Sequence, residues 1–358
     1  MIAIYNNRYS PREILPQERM QLYLDQARRL GETVACFTIE DVDFENSTIE
    51  AEVYEEDWIS KTIPFPDLLF NERCVIPKQA TDFDKDLRLQ KEIPCFFHLI
   101  DNKWVLQQKL ENTGAWNKLL IPTTTLDQYD QFLEHLKQQK TVVLKPTDAS
   151  KGQGIYKVTK AAGSGYYLTI RDERHTYSYQ RLKSFIQPLI DQGNYIIQPF
   201  IKSQTPDGET FHLRAHLIRD ADGQWIVLAA IADVAKKGRF ITNQSAYKNE
   251  RAEPFLQQLD PSGDVLYKEW LAQSILLAQD IDALYPFTLP ELALDFALDE
   301  TRTLRFFEAN TGPEVFAFKE EREERRAQEL ITFAHHVATA IAPIPKEQRY
   351  GRYFKVGQ

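Results

Sequence analysis

Three short stretches of the chain carry residue types at spacings suited to chemistry. In the first, Val142-Val143-Leu144 runs into Lys145-Pro146, and a small-residue loop follows, Ser150-Lys151-Gly152-Gln153-Gly154. Glycines let backbone N–H groups approach an anion, and a lysine at a strand end adds a point charge, so the chemistry would be phosphate binding. It is not a Walker A loop, because G-x-x-x-x-G-K-[ST] is absent, and no H-R-D or D-F-G follows to make it a kinase lysine. Taken alone, the pattern reads as a plain hairpin with a surface lysine. In the second stretch, Phe211 to Leu217, a period of two puts His212, Arg214 and His216 on one strand face and Phe211, Leu213, Ala215 and Leu217 on the other. A basic face of this kind needs water, counter-charges or a ligand. Zinc is a poor fit, since the two histidines have no third ligand at a familiar spacing.

The third stretch joins Leu292-Ala293-Leu294-Asp295-Phe296 to Phe306-Phe307-Glu308-Ala309-Asn310. Glu308 and Asn310 share a face. If Glu300 pairs with Thr303 across a two-residue turn, Asp295 lies directly opposite Glu308. Facing carboxylates repel unless a cation lies between them. Two carboxylates and an amide oxygen are hard ligands suited to Mg²⁺, with phosphate oxygens and water completing an octahedron. The competing reading is two solvated carboxylates at strand ends.

The elements that must position these groups follow from periodicity. Ala3–Asn6 and Thr33–Ile39 read as strands around an amphipathic helix, Gln17–Leu30, whose apolar face is Met20, Leu24, Ala27 and Leu30. Strand, helix, strand at this spacing suggests a parallel α/β unit. A strand is expected at Thr48–Tyr54 and a loop around Pro64 and Pro66. Helices follow at Asp101–Asn112 and Leu126–Leu136. Strands at Thr141–Leu144, Ile155–Val158, Tyr166–Ile170, Thr176–Tyr179 and Tyr195–Phe200, with a helix near Leu182–Ile190, make a small antiparallel α+β unit. Asp222-Gly223 marks a hairpin between Phe211–Arg219 and Gln224–Ala235. A helix spans Val265–Ile281, a second hairpin joins Glu291–Leu298 to Thr303–Asn310, and Phe318–Ile341 is a long helix. Its first turns, KEEREERR, read as a solvated face. The adjacent His335 and His336 diverge on that helix and read as structural or solvated.

Composition excludes several classes. The 358 residues carry 43 Lys and Arg against 52 Asp and Glu, a net charge of −9, so a global basic footprint for nucleic acid is missing. Three scattered cysteines, Cys36, Cys74 and Cys95, form no C-x-x-C and fit a reducing compartment. The longest apolar stretch, Trp225 to Ala235, contains Asp233 and is too short for a bilayer. No secretory signal is visible, and a cytoplasmic protein is expected.

Taken in order, the strand lysine with its glycine loop, the strand near Gln198, the x-x-Arg strand and the Asp…Glu-x-Asn hairpin resemble the ATP-grasp superfamily. With the segment Pro64–Glu72 (PFPDLLFNE) and Asn102-Lys103-Trp104, the chain is similar to the YheC/YheD-type, endospore coat-associated branch. The resemblance implies an α/β and α+β architecture. An N-terminal Rossmann-like domain would cover residues 1–120, a small lid subdomain 121–200, a C-terminal subdomain with the Mg²⁺ site 201–345, and a basic tail 346–358. It implies that Lys103 and Lys145 bind the phosphates of ATP and that Ser150, Lys151, Gly152 and Gly154 form a loop over them. Gln198, Pro199, Phe200 and Ile201 would be the hinge that reads adenine, and His212 would stand at the ribose. Asp295, Glu308 and Asn310 would hold Mg²⁺, Arg214 would stabilise the transition state, and Asn243 would lie by the acceptor. The chain departs from the usual pattern with Gln198 in place of glutamate, with His212 in place of an acidic residue, and in lacking a glycine pair after Asn243.

The implied activity is ADP-forming ligation of a carboxylate to an amine through an acyl phosphate, with ATP and Mg²⁺ required. The partners would be a carboxylate substrate and an amine acceptor, such as an amino acid, peptide or protein side chain, with no nucleic acid or membrane. Spore association accompanies the resemblance. The alternatives are a non-catalytic coat-associated protein that keeps the fold, and an ATP-grasp kinase.

Overall fold

The computed structural model describes residues 1–71, 80–96, 99–148, 152–242, 246–312 and 319–344. The chain opens with β1 (Ile2–Asn6), α1 (Pro11–Ile14), α2 (Gln17–Arg29) and β2 (Val34–Thr38). β1 and β2 pair in parallel, Ile4 opposite Cys36, as the strand–helix–strand pattern predicts. β3 (Val42–Asp43), β4 (Thr48–Tyr54) and β5 (Trp58–Pro64) extend the sheet antiparallel beyond β2. β6 (Leu69–Asn71) closes the other side parallel to β1, and α3 (Ala80–Glu92) follows. Strand β5 stands where a loop is expected around Pro64. Only Ile63 of its seven residues is buried, so it lacks the alternation that marks a half-buried strand. Its place at the sheet's edge tolerates the terminal proline.

After α4 (Lys103–Thr113), the second sheet takes up β7 (Thr124–Thr125), α5 (Tyr129–Gln139), β8 (Thr141–Pro146), β9 (Tyr156–Lys160), β10 (Tyr166–Ile170), β11 (Glu173–Tyr177), α6 (Tyr179–Gln192) and β12 (Tyr195–Pro199). The strand order is β11-β10-β9-β8-β12-β7. Phe132 and Leu136 of α5 and Leu182 and Ile186 of α6 pack with Leu144 and Val158 of the strands. Burying such side chains contributes about 1.5–3 kcal/mol each.

The third sheet contains β13 (Phe211–Arg219), β14 (Trp225–Ala235), β15 (Ala246–Arg251), β16 (Glu291–Leu298) and β17 (Leu304–Thr311), ordered β15-β14-β13-β16-β17. The Asp222-Gly223 turn joins β13 and β14, with Gly223 at φ 76°, a conformation glycine takes without strain. α7 (Ala252–Leu259) and α8 (Gly263–Ala283) cover one face, where Trp270, Leu277, Leu213 and Phe296 share a core with Leu106 and Leu110 of α4. α9 (Lys319–Ile341) lies on the other face, against α2 of the first unit.

The charge run at the start of α9 is not a solvated face. Glu321, Glu324 and Arg325 are exposed, but Arg322, Glu323 and Arg326 are buried. Helical spacing puts these three in line with Leu330 and Ala334, which pack against α2. Arg326 forms a two-pronged pair with Glu291 of β16, at 2.6 and 2.8 Å, and donates to Tyr23 Oη of α2 at 2.7 Å. Glu323 pairs with Arg19 of α2 at 2.6 Å. A buried charge must be paired, so opposite charges on three elements hold the first unit to the third sheet. His335 accepts the structural reading, with Nδ1 2.9 Å from Glu32.

Candidate nucleotide and metal site

The second and third sheets face each other across a cleft that opens to solvent. Its lining includes Lys103, Lys145, Gly152, Gln198, Pro199, Phe200, Ile201, His212, Asp295 and Glu308. Residues from six separate segments thus meet in one place. Ser150, Lys151 and Asn243 lie outside the described residues.

One end of the cleft is polar and charged. Arg214 on β13 stands opposite Asp295 on β16 and binds its carboxylate with two N–H···O bonds, both 2.7 Å. Asp295 stands opposite Glu308 on β17. That pairing is as expected, but it arises differently. The turn closes one residue earlier than assumed, with Leu298 opposite Leu304 and Arg302 at φ 61°. A β-bulge at Phe307 then restores the register. It also changes what faces the cleft. Phe306 is in the core, and a regular strand would bury Glu308 beside it; with the extra residue, Phe307 and Glu308 both line the cleft.

The two carboxylates do not face each other bare. Lys103, at the first turn of α4 after its cap Asn102, reaches Glu308 at 2.8 Å. Burial pushes the Glu308 carboxyl up, yet Lys103, Lys145 and Asn310 together hold it below the usual range. Each carboxylate therefore has a cation supplied by the chain, and the expected repulsion is absent. Glu308→Gln is accordingly expected to lower, not raise, the stability of metal-free protein, by about 1–3 kcal/mol. Calorimetric melting in chelator-treated buffer checks it; a rise in melting temperature would contradict the pairing.

Lys145 leaves β8 beside this cluster, its Nζ 4.8 Å from the centre of the Phe307 ring. Burial, only partly countered by Glu308, pushes its ammonium down to about 8. It still carries charge at neutral pH, and an incoming phosphate would stabilise that charge. Asn310 donates to Glu308 at 3.3 Å.

His212 lines the cleft beside this cluster. Nδ1 is 2.6 Å from Thr242 Oγ1 and Nε2 is 3.1 Å from Asp233 Oδ2, so both ring nitrogens face protein oxygens. Asp233 also accepts from Asn249, and burial is outweighed by His212 and Arg214 in keeping its carboxyl below the usual range. Asp233 was visible in the sequence only as a charge interrupting an apolar strand; its register opposite His212 brings it here. His216, two residues beyond Arg214, is not in the cleft: Nε2 meets Glu291 at 2.6 Å under α9.

At the other end, Gln198 on β12 donates Nε2–H to Thr123 Oγ1 at 2.8 Å, and that hydroxyl donates to the Ile121 carbonyl at 2.7 Å. The chain of donors fixes the amide's orientation. It leaves Gln198 Oε1 buried without a partner among the described residues. A buried acceptor at a cleft edge is matched by an N–H donor such as an adenine amino group. Gly152 and Gly154 have φ of 72° and 69°, and a Cβ on Gly152 would come within 2.9 Å of Ile241 Cγ2 across the cleft. Asp295, Glu308 and Asn310 offer oxygen donors of the kind a hard cation such as Mg²⁺ takes, and Arg214 and Lys103 now occupy the two carboxylates.

An α/β unit followed by two sheets that hold a cleft between them is the ATP-grasp fold. Solved structures with it include D-alanyl-alanine synthetase A from Vibrio cholerae, at a TM-score of 0.54 and 13% identity over 96% of this chain and 97% of that one. Biotin carboxylase from Campylobacter jejuni gives 0.54 and 14% over 93% of this chain and 71% of that one. The family model "YheC/D like ATP-grasp" matches residues 92–338, and the chain belongs to that family. It is 26% identical over 298 residues to the endospore coat-associated protein YheD of Bacillus subtilis, and 22% identical over 219 residues to YheC of the same organism. These matches cover 78% and 56% of this chain, which spans 64% and 58% of those relatives' lengths.

Proposed function

We propose that the chain is an ATP-dependent, ADP-forming ligase that joins a carboxylate to an amine. The observation that carries the reading is the convergence of Lys103, Lys145 and Arg214 on Asp295 and Glu308 at one end of a cleft whose other end offers the buried acceptor Gln198 Oε1. Cations suit the phosphates, and the amide suits the adenine edge. Transfer of the γ-phosphoryl group to a carboxylate oxygen gives an acyl phosphate and ADP. An amine nitrogen then attacks the carbonyl carbon, the C–O bond to phosphate breaks, and the amine's proton is lost as the amide forms.

Lys103 and Lys145 hold the phosphates, and Arg214 neutralises charge that grows on the moving phosphoryl group. Asp295, Glu308 and Asn310 would hold Mg²⁺, which when bound supplies charge neutralisation at the phosphate oxygens. Phe200, Phe240 and Ile241 line the cleft with apolar surface that disfavours water beside an activated carboxylate. The YheD and YheC relatives are named as endospore coat-associated, which supports a spore-linked setting within a cytoplasmic assignment. Among the described residues no helix is long and apolar enough to cross a membrane.

Hydroxylamine trapping tests the reading. Incubation with ATP, Mg²⁺ and pooled amino acids or peptides should yield hydroxamate with stoichiometric ADP. Hydroxamate with AMP would overturn the acyl-phosphate route, and phosphorylated acceptor without hydroxamate would assign a kinase. Lys145→Ala should weaken a non-hydrolysable ATP analogue by about 1.5–3 kcal/mol through loss of a charge-assisted contact. Titration calorimetry measures it, and unchanged affinity would remove Lys145 from the site.

A further inference from the structure

The tip of the β10–β11 hairpin is a two-residue turn, Arg171-Asp172, between the paired residues Ile170 and Glu173. Both tip residues have positive φ, 48° and 77°. Such a turn usually takes Asn-Gly, because other side chains are strained there. A strained turn persists where its surroundings hold it, and strain of this kind gathers at working parts of proteins.

Asp172 is held by the loop that walls the cleft. Its Oδ1 accepts the Phe240 backbone N–H at 3.1 Å, and Oδ2 lies 3.6 Å from Arg239 Nε. Lys157 of β9 adds a second grip, with Nζ 4.8 Å from the Phe240 ring centre and 4.7 Å from that of Phe200 at the hinge. The same loop is bolted to the third sheet. Thr210 Oγ1 donates to the Arg239 carbonyl at 2.6 Å, and Thr242 Oγ1 meets His212 Nδ1 at 2.6 Å. Phe240, Ile241 and Thr242 line the cleft directly. Residues 239–242 therefore bridge the two sheets, and Asp172 is the carboxylate by which the hairpin of the second sheet holds that bridge.

We propose that Asp172 is a positioning residue: it latches the β10–β11 tip onto the Arg239–Phe240 backbone, fixes the cleft wall and so slows release of bound nucleotide. The inference rests on the nucleotide-binding reading above. The latch also reaches the charged end of the cleft, because Thr242 positions His212, which lies 3.1 Å from Asp233 and 3.7 Å from Asp295.

The test uses the full chain, a fluorescent ADP analogue and Mg²⁺, with release followed by stopped-flow and melting followed by calorimetry. Asp172→Gly removes the carboxylate and also the strain, since glycine adopts positive φ freely. It should release the analogue about tenfold faster than wild type while melting at the same or a higher temperature. Asp172→Asn keeps an acceptor oxygen for the Phe240 N–H and tolerates the turn, and should stay within about threefold of wild type. A group that merely held the fold together would lower the melting temperature in step with faster release, and that result would overturn the proposal. So would unchanged release from Asp172→Gly, or equal acceleration by Asn and Gly, in a wild type that binds the analogue. If the wild type binds none, the nucleotide reading itself falls and the latch with it.

Discussion

Glu291→Gln is expected to reduce the free energy of unfolding at neutral pH by about 3–5 kcal/mol, the usual cost of leaving one partner of a buried ion pair uncompensated. Glu291 is fully buried and takes three hydrogen bonds, two from Arg326 and one from His216. The amide cannot balance Arg326, which is itself 4% exposed and joins α9 to Tyr23 of α2. The pH dependence has a definite sign. Burial pushes the Glu291 carboxyl up, but Arg326 and His216 outweigh it and hold the group far below its ordinary 4.5. Its stabilisation is present above that value and is lost as pH falls through the carboxylate range. His216 acts in the same direction. Burial, against the pull of Glu291, lowers its pKa from 6.5, and its Nδ1 has no hydrogen-bond partner among the described residues, so a second proton would be buried unsatisfied. The unfolded chain takes up that proton more readily, and stability falls as pH drops below 6.5. Urea unfolding from pH 8 to pH 4 should therefore show wild type losing stability in both ranges. In Glu291→Gln the loss in the carboxylate range should be smaller. A variant within 1 kcal/mol of wild type at pH 7 would mean the cluster is effectively solvated.

Arg214→Met should lower the kcat of hydroxamate formation roughly 10³-fold while changing the KM for ATP by less than about threefold. The guanidinium is held in the resting site by two bonds to Asp295, which is 2% exposed, so it is already oriented toward the charged end of the cleft. A contact that strengthens as charge moves onto the transferring group appears in kcat, whereas one that binds substrate and transition state alike appears in KM. The variant leaves the Asp295 carboxylate short of its partner, so melting must be recorded beside the kinetics. Arg214→Lys provides the second arm. It keeps the charge and loses the planar fork, and should recover stability more than rate. Equal losses in kcat and in ATP affinity would reduce Arg214 to a binding residue.

Much of this protein is written in local pattern. Alternation placed Arg214 on the polar face of β13 and Leu213 in the core, helical spacing placed Met20, Leu24 and Ala27 of α2 inside, and Asp222-Gly223 set the β13–β14 hairpin. These depend on periods of two and 3.6 residues and on one turn's dihedral needs, which act over a few neighbours. The polar residues of the cleft were likewise readable by type, because carboxylates and lysines beside apolar runs stand out. Their company was legible only in part: Asp295 was expected opposite Glu308, but the cations that hold the pair were not. The bulge at Phe307 depends on how β17 fits β16 over its whole length, and it alone keeps Glu308 in the cleft rather than beside Phe306. Lys103 and Glu308 are far apart in the chain, and so are Arg326 and Glu291, so their pairing follows from which faces of α4 and α9 are buried. A charge run looks solvated until another element covers it. Once α2 and the third sheet enclose α9, the cost of an unpaired buried charge selects Glu291, Arg19 and Tyr23 as partners. Short-range stereochemistry thus specified the strands and helices, while desolvation and long-range packing chose which charges meet.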